Sequence, residues 1–218
     1  MKKAVIFDLD GTLLDTIEDI ADSMNLVLSE ANLPTHPVDS YKHFVGNGMP
    51  KMVKRALPKQ MRDRENIEKF TENMRQTFAK NWDNKTKLYP GIGKALTNLK
   101  EQGTKLAILS NKPHSFTLEA YDKYLDKWEF DVVQGWDPDK APLKPDPKSL
   151  LAIADKLKVK QSEVAYVGDS DVDMVTAQNA DVFGVGVSWG FRGAQELREN
   201  GADEVVDSPY EILKCLNR

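Results

Sequence analysis

Ala4-Val5-Ile6-Phe7-Asp8-Leu9-Asp10-Gly11-Thr12, near the start of the chain, decides the reading of the fold. Four apolar residues in a row make a short strand of the kind that is buried on both faces of a parallel sheet. The run stops abruptly at two carboxylates one residue apart, followed by a glycine that permits a sharp turn. Further strands are predicted at 105–109, 131–134, 164–167, 182–187 and 204–206. Helical stripes lie between most of them: Ile92, Ala95, Leu96 and Leu99; then Leu150, Ile153, Ala154 and Leu157; then 171–180. Strands alternating with helices predict an α/β fold with a Rossmann-like parallel sheet.

One stretch interrupts the alternation. From residue 16 to about 84 there is no convincing strand, and Ile17, Ile20, Ala21, Met24, Val27, Leu28 and Ala31 keep helical spacing, as do Ile67, Phe70, Met74 and Phe78. Shorter helices are predicted at 41–44 and 50–57. Consecutive helices without strands predict a small helical cap at 16–84, inserted into a core formed by 1–15 and 85–218. The chain returns near Leu88-Tyr89-Pro90-Gly91, where proline and glycine punctuate the pattern.

Four segments at or just after predicted strands carry groups suited to phosphoryl chemistry. In open α/β sheets ligands bind beyond the carboxyl ends of the strands, so the four can converge. Asp8 and Asp10 offer a carboxylate nucleophile and a neighbouring acid/base. Ser110 and Asn111 offer a hydroxyl and main-chain N–H groups for phosphoryl oxygens. Lys144, set between Pro142 and Pro145, offers a cation. Asp169 and Asp173, in Gly168-Asp169-Ser170-Asp171-Val172-Asp173, offer hard oxygen ligands one helical turn apart. Each segment alone also has an ordinary reading, as a helix cap, a surface lysine or acids at a helix N-terminus. The ordered set is what is specific.

In that order the segments resemble the haloacid dehalogenase superfamily of phosphatases. The run from Phe7 to Thr16 resembles its first motif, and Ser110, Lys144 and Gly168-Asp169-Ser170 resemble the other three. The resemblance implies that Asp8 attacks phosphorus, that Asp10 serves as general acid and then base, and that Ser110, Asn111 and Lys144 hold the transferring group. It implies magnesium held by Asp8, the Asp10 carbonyl and Asp169, with Asp173 in or just outside the metal shell. Thr12 is expected at the substrate. The cap is expected to close over the site and select the leaving group. Its Gly46-Asn47-Gly48 turn resembles the cap loop of phosphoglycolate phosphatases, with Arg55 as a candidate for a substrate carboxylate. Asp10 stands where dehalogenases of the superfamily carry tyrosine, and the Gly-Asp-Ser motif departs from the Glu-Asp-Ser of β-phosphoglucomutases. The expected activity is hydrolysis of 2-phosphoglycolate or a similar small monoester, with a phosphosugar mutase and a non-catalytic regulatory protein as alternatives.

The bulk properties fit that reading. Over 218 residues the formal net charge of −4 gives no electrostatic reason to expect nucleic acid or an anionic membrane as partner. The lone Cys215 excludes an intrachain disulfide, and no apolar run approaches a membrane span. A cytoplasmic monomer or homodimer acting on a small phosphorylated metabolite is the expectation. The four tryptophans and His36, His43 and His114 read as packing or surface residues.

Overall fold

The structure, a computed structural model, describes residues 2–216. The elements run β1 (Ala4–Phe7), β2 (Leu14–Asp15), α1 (Ile17–Glu30), α2 (Val38–Phe44), α3 (Met49–Ala56), α4 (Arg64–Asn81), β3 (Lys87–Leu88), α5 (Ile92–Glu101), β4 (Lys105–Pro113), α6 (His114–Tyr124), β5 (Val132–Trp136), α7 (Lys148–Leu157), β6 (Val164–Gly168), α8 (Asp171–Asn179), β7 (Phe183–Val187), α9 (Ala194–Glu199), β8 (Glu204–Val206) and α10 (Pro209–Cys215). The chain divides into two compact units, Met1–Leu14 with Leu88–Arg218, and Asp15–Lys87.

The larger unit is built on a six-stranded sheet in the order β5-β4-β1-β6-β7-β8, with every recorded pairing parallel. β1 lies near the middle, which explains why Ala4, Val5 and Ile6 are fully buried. Its alternate side chains feed two layers. Ala4 and Ile6 pack in a cluster with Leu150, Ile153, Ala154 and Leu157 of α7 and with Ala177 of α8. Phe7 points the other way and meets Phe130 edge-on, with ring centroids 6.4 Å apart. From β1 the chain winds outward through β4 and β5, then returns to the opposite side of β1 as β6 and winds outward again through β7 and β8. The reversal falls between β1 and β6, where a doubly wound sheet opens a crevice at its carboxyl edge.

β4 differs from the sequence reading. It does not stop at residue 109 but runs to Pro113, with its register against β5 shifting between Leu109 and Pro113. Ser110, Asn111 and Lys112 lie in that shifted stretch and are buried, so polar side chains that read as loop are in fact part of the strand.

The smaller unit is helical throughout α1 to α4, with Ile20, Met24 and Leu28 of α1 and Phe70, Met74 and Phe78 of α4 buried along the predicted stripes. Asp19 is also buried there, and its carboxylate accepts from Lys85 N, Thr86 N and Thr86 Oγ1, so its charge is not stranded. β2 and β3 pair as a separate two-stranded sheet. Among the described residues no helix is long and apolar enough to cross a membrane.

Candidate active site

β1 delivers Asp8 and β6 delivers Asp169 to the crevice between them. The strands are in register with Phe7 opposite Val167, and Asp8 N donates to Val167 O at 2.8 Å. Gly11 then turns with φ of +87°, and a Cβ there would collide with the Asp169 carboxylate. That is the physical need behind the Asp-Gly-Thr sequence. Thr12 Oγ1 donates to Asp169 Oδ1 at 3.3 Å, and Phe191 N donates to Asp169 Oδ2 at 2.7 Å. Thr12 is fully buried, so its hydroxyl orients a carboxylate of the site.

Lys144 is the cation at the centre. Its Nζ donates to Asp173 Oδ1 at 2.7 Å and lies 2.9 Å from Asp8 Oδ1. Burial works against its charge, but Asp173 and Asp8 outweigh burial and raise its pKa. The prolines around it are not its only restraint. Asn111 reaches across to it from β4: Lys144 N donates to Asn111 Oδ1 at 2.7 Å, and Asn111 Nδ2 donates to Lys144 O at 3.2 Å. The Asn111 side chain thus positions Lys144. Ser110 is buried beside it, its Oγ accepting from Lys112 N at 3.2 Å.

Asp173 is held from every side. Tyr166 OH donates to Oδ1 at 2.9 Å, and Ser170 donates to Oδ2 through both N and Oγ at 3.1 and 2.6 Å. Gly168 makes room for this, since a Cβ at that position would overlap the Asp173 carboxyl. Ser170 also caps α8, so one hydrogen-bonded box both starts the helix and fixes the acid.

Asp8, Asp169 and Asp173 present carboxylate oxygens within 4.8 Å of one another, all buried. Burial, then repulsion from Asp173, pushes the Asp8 pKa up to about 7 against the pull of Lys144. Burial, Asp173 and Asp8 likewise raise Asp169 well above the ordinary carboxylate range. The Lys144 ammonium, 2.9 Å from Asp8 Oδ1, is the cation that faces this carboxylate. Three buried acids crowd around one ammonium. An all-oxygen donor set with excess negative charge fits a hard divalent cation.

Sequence reasoning passed over three contributors. Lys112, only 4% exposed, lies 3.1 Å from Asp10 Oδ1 and 3.2 Å from Oδ2. Tyr166 reads as one more apolar position of β6. Trp189 reads as packing, yet its Nε1 donates to Thr12 O at 3.0 Å. The signal for Lys112 was present: a lysine two places after Ser110 in a strand falls on the same face. In the helical unit, Gly46 and Gly48 take φ of +110° and +83° around Asn47. Arg55 donates to Phe44 O at 2.8 Å and to Asn47 Oδ1 at 2.7 Å. There Arg55 and Asn47 brace the turn.

The profile of the family described as haloacid dehalogenase-like hydrolase matches residues 5–187. The chain is 32% identical to a phosphoglycolate phosphatase of Psychrobacter arcticus, over 99% of this chain and 96% of that one. It is 31% identical to a phosphoglycolate phosphatase of Haemophilus influenzae, over 98% of both. A solved structure from Lactobacillus delbrueckii subsp. bulgaricus, provisionally named a phosphoglycolate phosphatase, matches with a TM-score of 0.92 at 28% identity over 99% of both chains.

Proposed function

The chain belongs to the haloacid dehalogenase-like hydrolases, and on that premise we propose that it is a magnesium-dependent phosphatase acting on 2-phosphoglycolate or a closely similar small monoester. The observation that carries this reading is the placement of Lys144 between Asp8 and Asp173, within a cluster of three buried carboxylates.

In the first half-reaction an Asp8 oxygen forms a bond to phosphorus as the bond to the ester oxygen breaks, and Asp10 gives its proton to the departing alcohol. In the second, water attacks the aspartyl-phosphate, Asp10 takes the proton from that water, and the Asp8 carboxylate is released with inorganic phosphate. Lys144, Ser110 and the Asn111 N–H hold the phosphoryl oxygens through both steps. Asp8, Asp169 and the Asp10 carbonyl would hold magnesium, which when bound supplies charge neutralisation and a template for the phosphate. The four hydrogen bonds accepted by Asp173 support an outer role for it, fixing Lys144. The helical unit is assigned as the cap that selects the leaving group.

The testing experiment is phosphate release from a panel of metabolite phosphoesters with magnesium. The expected result is the highest kcat/KM on 2-phosphoglycolate or another ester of a short hydroxy acid. Exclusive use of large phosphosugars or nucleotides would overturn the assignment.

A further inference from the structure

We propose that Lys112 determines substrate specificity by recognising a carboxylate on the leaving group, close to the ester oxygen. This rests on the reading of the site given above and names the residue that reads the substrate's second charge.

The site contains two buried ammonium groups with different partners. Lys144 lies against Asp8, the acid facing the group transferred. Lys112 lies against both oxygens of Asp10, the acid facing the group that leaves, at 3.1 and 3.2 Å. A general acid must come within hydrogen-bond reach of the oxygen it protonates, about 2.6–3.2 Å. The Lys112 ammonium is therefore one carboxyl group away from the ester oxygen. In an ester of a 2-hydroxy acid, a single carbon separates the ester oxygen from the carboxylate. Such a carboxylate falls next to the Asp10–Lys112 pair when the phosphoryl group sits on Asp8.

An ion pair buried this deeply is weak evidence for stability, because desolvation offsets the attraction. Lys112 lies in the stretch of β4 where the register shifts between Leu109 and Pro113. A lysine suits the task as a compact charge on a flexible stem, able to move between Asp10 and an incoming carboxylate. The competing cation, Arg55, donates to Phe44 O and Asn47 Oδ1.

The test compares 2-phosphoglycolate with its amide, 2-phosphoglycolamide, which has the same shape and no second charge. Wild type should favour the acid in kcat/KM. In Lys112→Met both substrates should slow, since Asp10 loses a partner, but the acid should lose roughly 10- to 100-fold more than the amide, the worth of a hydrogen bond between charged groups. Most of that extra loss should appear in KM. Lys112→Arg should keep the acid-over-amide preference, which guards against a Lys112→Met chain that fails to fold. Equal losses on both substrates, in a wild type that does prefer the acid, would overturn this inference alone. A wild type indifferent to the acid would overturn both it and the substrate assignment.

Discussion

Asn111 clasps Lys144 by its main chain, accepting from Lys144 N at 2.7 Å and donating to Lys144 O at 3.2 Å. A residue two places before the bend into α6 thereby sets where the central cation stands. Asn111→Ala should lower kcat by about 10²-fold, the cost of displacing a reacting group by an ångström. KM should change less. Steady-state kinetics check this, and unaltered kcat in a folded variant would show that the prolines alone hold Lys144.

Among the described residues Lys144 is the cation paired with both Asp8 and Asp173. Lys144→Met should abolish turnover and, in metal-free protein, cost about 3–5 kcal/mol of stability, because it leaves buried carboxylates uncompensated. Urea unfolding with chelator present measures the second effect. A variant as stable as wild type would mean that the acids protonate or hydrate without penalty.

Fold and site were not equally legible in the sequence. β1 and the helical stripes of α1, α4, α5 and α7 were readable because burial on one face imposes a period. The acids were readable because strands end where the crevice opens. The side-chain partners of Asn111, Lys112 and Tyr166 were harder to read, because the first two lie 33 and 102 residues away in the chain and the third is met by a hydroxyl at an apolar position. Asn111 was expected to face the substrate through its N–H. Its side chain, besides, spends both polar atoms on Lys144, and no local pattern reveals that.

Removing divalent metal should abolish phosphate release, and magnesium should restore it. Calcium should not, since its looser and larger coordination shell suits in-line transfer poorly. Magnesium should also raise the Tm of the resting protein by relieving the crowding of Asp8 and Asp169. Full activity after exhaustive chelation would contradict the donor-set argument.

The pH dependence of stability follows from the same crowding. Asp8 has its pKa pushed up to about 7 and Asp169 is raised in the same direction, mainly by burial. The folded state therefore binds more protons than the unfolded chain between the ordinary carboxylate range and neutrality. Stability of the metal-free protein should fall as pH rises from about 5 to about 8. Asp8→Asn should flatten that fall, and so should magnesium on the wild type. Urea midpoints across the range measure it, and midpoints that rise with pH would contradict the assigned shifts.

The central claim is that Asp8 carries the phosphoryl group. The direct measurement is acid quenching during turnover of radiolabelled substrate, followed by peptide mapping of the enzyme. The account predicts label on the peptide containing Asp8, formed at a rate that supports turnover and lost on a chase with unlabelled substrate. Asp8→Asn should remain folded by circular dichroism and take up no label. Label on another residue, or an unlabelled Asp8→Asn enzyme that still releases phosphate, would contradict it.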